Sequence, residues 1–227
     1  MTHGPPKPAE HAEHQLIHLI LSGTYQPGAA LPGERELATH LGVTRPTLRE
    51  ALQRLSRDGW VRIQHGKATR VSDYMLEGGL AVLARLADHG NANDFIPHLL
   101  EIRAVLAPAY TRAAVTRSPG RVVDLLRTLP HDTADAYTRF DWHVHHELTR
   151  LSGNLIYSLI LNGFSDLYAR AARTYFTHSE ARAASRAFYE ALHGAAVHKD
   201  PGAAEAITRD VSVRSLQLWT ARREEQP

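Results

Sequence analysis

Apolar residues recur every three to four positions from the first segment of the chain onward. In AEHAEHQLIHLILSGTYQPG, residues Leu16, Ile17, Leu19, Ile20 and Leu21 form one stripe that stops at Gly23. That spacing predicts a helix with a single buried face. ERELATHLG predicts a short helix with Leu37, Ala38 and Leu41 inward and Gly42 closing its C-terminus. VTRPTLREALQRLSRDGW predicts another. Thr44 is a good N-cap, Pro46 is tolerated in a first turn, and Leu48, Ala51, Leu52 and Leu55 share one face. Two short helices about a glycine turn outline a helix-turn-helix. The pattern then changes period. In WVRIQHGKATRV, Val61 and Ile63 alternate with Arg62 and Gln64, a turn follows at His65-Gly66, and Ala68 through Val71 return. This is a β-hairpin signal. Residues 1–72 therefore predict a winged helix-turn-helix domain with the hairpin as its wing.

A linker is expected over residues 73–79, within VSDYMLEGG (71–79), and no strand pattern follows it. Helical spacing marks residues 79–89, 94–117, 119–128, 133–152, 155–177, 180–198 and 201–222, with breakers such as HGNAN, SPG, SGN and HKDPG between them. About seven helices predict an all-α bundle over residues 80–227, so the fold class is mostly α in two domains.

Composition narrows the chemistry. The chain contains no cysteine, which removes disulfides, thiolate ligands and cysteine nucleophiles and suits a reducing compartment. Its first residues, MTHGPPKPAEHAEH, lack the apolar core of a secretory signal. The longest apolar runs, LIHLIL and LIYSLIL, fall well short of the ~20 residues of a membrane helix. A cytoplasmic protein without a membrane partner is expected. The formal net charge is only +2, but residues 1–72 hold nine Lys/Arg against six Asp/Glu, with arginines clustered from Arg35 to Arg70. On charge alone a phosphate-facing surface and an ordinary solvated face both remain open.

The second helix of the helix-turn-helix divides its labour. Leu48, Leu52 and Leu55 face inward, while Arg45 and Arg49, one turn apart, can face the same groove of DNA. Arginine reads guanine O6 and N7 bidentately, and Thr44 and Thr47 at the helix start can bond phosphates. His65 and Gly66 at the wing tip suit a minor groove, with Lys67 and Arg70 able to hold phosphates. The full run LPGERELATHLGVTRPTLREALQRLSRDGWVRIQHGKATRV resembles the GntR family of bacterial transcription regulators. GVTRPTLREALQRLSRDGW and IQHGK resemble its fatty-acid-responsive FadR subfamily. The resemblance implies DNA contacts at Arg35, Thr44, Arg45, Thr47, Arg49, His65 and Gly66, and a homodimer on a double-stranded palindromic operator. Arg35, beside Glu34 and Glu36, also reads as one half of a surface ion pair.

The segment FDWHVHHELTRLSGN holds three histidines, an aspartate and a glutamate. Asp141, His145 and Leu148 fall on one helix face, which predicts a buried, hydrogen-bonded Asp141–His145 pair. His143 and His146 fall on other faces and read as solvated, with Glu147 one turn after His143. Ser152-Gly153 lies nearby, but there is no Gly-x-Ser-x-Gly elbow or oxyanion loop, so Ser152 reads as a helix cap and no enzyme is expected. LLEIRAVLAP, LSGNLIYSLILNGFSDLYARAARTYF, RAFYEAL and VRSLQLW resemble the helical effector domain of the same subfamily. The resemblance implies release of the operator by a long-chain acyl-CoA, with Arg103, Tyr168, Tyr175, Ser215 and Trp219 at the ligand, and no required cofactor. Ser212 stands where the subfamily pattern has glycine, which bears on the acyl chain admitted. Other branches bind a small carboxylate with a divalent metal, through an Asp and a His four apart plus two later histidines. Asp141 and His145 match the first half. The later positions hold Tyr189 and Val211, leaving His193, one turn after Tyr189, as the remaining candidate. A metal-free pocket is expected, with the metal-assisted carboxylate sensor as the alternative.

Overall fold

In the computed structural model, which describes residues 7–89 and 92–225, the chain divides between residues 90 and 91 into two units. The first begins with α1 (Pro8–Leu21), α2 (Glu34–His40) and α3 (Arg45–Arg57). The apolar stripes meet in one core. Leu16, Ile17 and Ile20 of α1 pack with Leu37 and Ala38 of α2 and with Leu48, Ala51, Leu52 and Leu55 of α3. Each such leucine contributes roughly 1.5–3 kcal/mol on burial. Thr44 caps α3 by accepting from the Thr47 backbone N–H at 3.3 Å. Between α2 and α3 the chain turns at Gly42, whose φ of 65° is a left-handed conformation that glycine adopts without a Cβ clash.

The hairpin is short. β1 (Val61–Arg62) pairs antiparallel with β2 (Arg70–Val71) in the register Val61↔Val71 and Arg62↔Arg70. The other edge of β2 is covered by the segment before α2, where Leu31 N–H donates to Thr69 O and Val71 N–H donates to Ala29 O. Trp60, fully buried, anchors the base of the wing beside Tyr74.

The segment expected as a linker contains one helical turn, α4 (Tyr74–Glu77), capped by Asp73. α5 (Leu80–His89) follows and belongs by its contacts to the first unit. Val82 joins the core, Arg85 pairs with Glu13 of α1 at 3.0 Å, and the His89 ring lies 5.1 Å from that of His14. The hydropathy pattern groups residue 80 onward with the bundle, while the contacts of α5 group it with the first unit. A single helix stripe does not tell which neighbour covers it.

The second unit is all helical: α6 (Ala92–Arg117), α7 (Pro119–Leu126), α8 (Ala134–Leu151), α9 (Leu155–Gly163), α10 (Ser165–Tyr175), α11 (Ser179–Val197) and α12 (Pro201–Glu225). α6 packs along α12 and also against α8 and α10, while α11 packs on α7 and α12. The single helix expected over 155–177 is two, broken at Gly163-Phe164, where glycine's low helix propensity permits the turn. Among the described residues no helix is long and apolar enough to cross a membrane.

Candidate functional site

Two surfaces carry the chemistry. The first is the outer face of α3 with the wing. Arg45 and Arg49 are both more than half exposed, and both approach one carboxylate: Glu34 Oε2 accepts from Arg49 Nε at 2.7 Å and lies 3.8 Å from Arg45 Nη2. Thr44 and Thr47 join hydroxyls at 2.8 Å at the start of the helix. Arg35 is exposed, and the acid beside it, Glu34, is committed to α3. His65, Gly66 and Lys67 are exposed at the tip of the wing, where Gly66 turns with φ of 71°. Arg70 is different. Its guanidinium donates to Gly28 O at 2.8 Å, so it braces the wing against the segment before α2. The partnership of Glu34 with α3 was not legible from spacing, because the two acids flanking Arg35 offered a nearer pairing.

The second surface is a pocket in the helical unit. Its walls are apolar residues of α6, α9 and α10, such as Leu99, Ile160 and Ala172. Arg103 and Tyr110 of α6, Asp141 and His145 of α8, Tyr168 of α10 and Trp219 of α12 also line it. The α8 stripe puts Asp141, His145 and Leu148 inward as the spacing predicts; all three are at most 1% exposed.

The expected hydrogen-bonded Asp141–His145 pair is not formed. His145 Nε2 lies 3.8 Å from Asp141 Oδ1, beyond hydrogen-bond range. The carboxylate is instead taken by two hydroxyls from other helices: Tyr168 donates to Oδ2, and Tyr189 of α11 donates to Oδ1 at 2.7 Å. Arg103 Nη1 stands 3.6 Å from Oδ2. His145 Nδ1 pairs with the Tyr110 hydroxyl at 2.7 Å.

The charges follow from these partners. Burial alone raises the Asp141 pKa, but Arg103, His145 and the two tyrosine hydroxyls together hold it below the ordinary carboxylate value. Burial pushes His145 down to about 3, with Arg103 adding to the effect, so the imidazole is neutral. Burial works against the charge of the Arg103 guanidinium, but Asp141 together with Tyr168, Tyr110 and Tyr175 raises its pKa overall, so it stays charged. One cation and one anion leave the floor of the pocket without net charge. Among the described residues, three buried polar atoms lining it have no hydrogen-bond partner: Arg103 Nε, His145 Nε2 and Trp219 Nε1.

The remaining expected residues have distinct places. Tyr175 lines the pocket, and its hydroxyl donates to Ser215 Oγ at 3.2 Å. Ser215 itself lies behind Tyr175 rather than among the lining residues, and bonds back to Val211 O at 2.8 Å. Ser212 is buried with its hydroxyl on Thr208 O. His143 is exposed, and Glu147 pairs with Arg150 at 2.7 Å rather than with that histidine. Ser152 terminates α8 as expected, its hydroxyl donating to Thr149 O at 2.6 Å. His193 does not complete a metal site. Among the described residues no three of the His, Asp and Glu side chains come together in a group that could hold an ion. The Tyr189 side chain is a hydrogen-bond donor to Asp141. The donor set therefore does not fit a divalent metal.

Comparison with known proteins bears on both surfaces. Residues 8–71 match the family described as bacterial regulatory proteins, gntR family, and residues 72–227 match the FadR C-terminal domain. The chain is 41% identical over 225 residues to the fatty acid metabolism regulator protein of Shewanella denitrificans, covering 97% of this chain and 94% of that one. Identity to the protein of the same name from Shewanella baltica strain OS155 is 42%, with the same coverage. Among solved structures, Streptococcus agalactiae GntR aligns with a TM-score of 0.47 at 24% identity, over 92% of this chain and 99% of that chain.

Proposed function

Since the chain belongs to the GntR family of bacterial regulatory proteins and carries a FadR C-terminal domain, we propose that it is a transcription regulator of fatty-acid metabolism whose operator affinity is set by a long-chain acyl-CoA. In this reading the winged helix binds one half of a palindromic operator, and a homodimer covers both halves. Arg45 and Arg49 read base edges, Thr44 and Thr47 hold phosphates, and His65 and Gly66 enter the neighbouring minor groove, with Arg35 on the backbone. The helical unit binds the effector and performs no covalent chemistry on it.

The observation that carries the effector assignment is the combination of apolar walls with the uncharged, incompletely bonded floor around Arg103. An acyl chain suits the walls. Arg103 Nε, His145 Nε2 and Trp219 Nε1 are three buried polar atoms without partners among the described residues, and a ligand that brings an oxygen to them relieves a cost of about 1–3 kcal/mol for each bond made. Asp141 already balances Arg103, so an uncharged thioester carbonyl is favoured over a free carboxylate. A metal-assisted carboxylate sensor would need ligands that this pocket does not assemble.

An effector that fits one arrangement of the Tyr168–Asp141–Tyr189 network better than another shifts the protein toward that arrangement. Operator release follows if the favoured arrangement holds the two recognition helices at a spacing that no longer matches the half-sites. Linkage requires that operator DNA weaken acyl-CoA binding by the same factor. The test is a titration of acyl-CoAs of graded chain length against the protein bound to a duplex that it selects from a random pool. Release by long chains, and not by free fatty acids or a small carboxylate with Zn²⁺, is the expected result. Release by the carboxylate with Zn²⁺ alone would overturn the assignment.

A further inference from the structure

Glu34 opens α2 and reaches across the helix-turn-helix to the two arginines on the outer face of α3. The contact to Arg49 Nε is 2.7 Å and that to Arg45 Nη2 is 3.8 Å. The side chains are 37% exposed for Glu34, 58% for Arg45 and 59% for Arg49. Exposed pairs of this kind add little to folding, so the effect of the carboxylate lies in what α3 presents to a ligand.

A carboxylate within 4 Å of two guanidiniums has two consequences for nucleic acid. Its charge opposes that of any phosphate approaching the same surface at distances within the ~8–10 Å Debye length. It thereby weakens the sequence-independent attraction on which non-specific binding rests. It also occupies the Nε edge of Arg49, leaving the two terminal amino groups as the free donor pair, the fork that matches guanine O6 and N7. Among the described residues no ion pair joins Arg35 to a carboxylate, and its neighbour Glu34 is turned to α3.

We propose that Glu34 is a specificity-determining residue of the DNA-binding surface: it suppresses binding to arbitrary sequence and directs Arg45 and Arg49 to base edges. The inference rests on the regulator reading above, and it adds a residue that does not need to touch DNA to sharpen recognition.

The experiment uses the full-length chain, a duplex enriched by the wild-type protein from a random pool, and a random-sequence duplex of equal length, each titrated at several salt concentrations. Glu34→Gln is expected to bind the random duplex about tenfold more tightly. Its log–log salt slope should steepen by about one, the increment for roughly one more phosphate contact, and the ratio of the two Kd values should fall by at least that tenfold. Glu34→Asp, which keeps the charge, should retain weak binding to random sequence. Glu36→Gln makes the same change in net charge two residues away. An unchanged Kd ratio in Glu34→Gln would overturn the proposal, as would an equal fall in Glu36→Gln. A wild-type chain that enriches no sequence would reject the regulator reading itself, and the Glu34 assignment with it.

Discussion

The hydroxyl of Tyr189 donates to Asp141 Oδ1 at 2.7 Å across two helices that are 48 residues apart in the chain. With Tyr168 on the other oxygen, it keeps a fully buried carboxylate ionised beside Arg103. Tyr189→Phe removes one donor and leaves that carboxylate less well satisfied, a loss of about 1–3 kcal/mol. The folded-state pKa of Asp141 lies below its unfolded value, so its stabilisation is present above the unfolded pKa of about 3.9 and fades as pH falls through the folded one. In Tyr189→Phe the folded pKa moves toward the unfolded one, so the acid-dependent loss should be smaller and end at higher pH. Urea unfolding of both proteins between pH 3 and 7 measures both effects, and identical curves would count against the network.

His145 titrates in the same sense. Its folded pKa is depressed to about 3, so between about 6.5 and 3 the unfolded chain takes up a proton that the native protein refuses. Stability therefore drops on acidification through this window, by about 1.4 kcal/mol per pH unit for one proton. An NMR titration of the imidazole should show no midpoint between pH 8 and 5; a midpoint near 6.5 would show the ring to be solvated.

Trp219 Nε1 is buried in the pocket wall with no partner among the described residues. Trp219→Phe removes an unmet donor, so stability should change little, while acyl-CoA affinity should fall by about five- to tenfold, near 1 kcal/mol for one hydrogen bond. Calorimetry against a single long-chain acyl-CoA, with a thermal melt as control, separates the two. Unaltered affinity would mean that the indole N–H does not meet the ligand.

Glu13 of α1 is almost fully buried and joins Arg54 of α3 at 3.2 Å to Arg85 of α5 at 3.0 Å. Burial raises its pKa despite the two cations, Arg85 acting through its charge and Arg54 through its charge and a hydrogen bond. Replacing it with leucine leaves both guanidiniums without their shared anion. Because the arginines keep partial access to water, the expected loss is roughly 1–3 kcal/mol rather than the 3–5 of a fully buried pair. A stability change below ~0.5 kcal/mol would show that the clamp does little to hold the three helices together.

Arg45→Ala and Arg49→Ala should each cost about 1–3 kcal/mol in affinity for the enriched duplex and relax base preference at one position. Selection from a random pool with each variant reads the position out directly, and an unchanged consensus in both would exclude α3 as the reading helix.

The elements of the DNA-binding unit were legible because their signals are local. A stripe at helical spacing, a threonine before Pro46, and glycines at 42 and 66 each act within a few residues, and the core of α1, α2 and α3 follows from them. The α8 stripe was legible for the same reason, and Asp141 and His145 do face inward. Their chemistry was not. Four residues of separation suggested a hydrogen bond between the two, but side chains on one helix face compete with every neighbour that packs on it. Tyr168 and Tyr189 reach the carboxylate in better geometry than an imidazole on the same helix can.

Sequence by itself determined the periodic elements, the basic character of the first domain and the absence of thiol chemistry, all of which depend on composition and nearest neighbours. Tertiary structure decided which charges meet. Glu34 with Arg49, Glu13 with Arg54 and Arg85, and Asp141 with Arg103 and Tyr189 are separated by 15 to 72 residues. Such pairs depend on how the helices cross and on which buried charge is left without another partner, and neither is written in any local pattern.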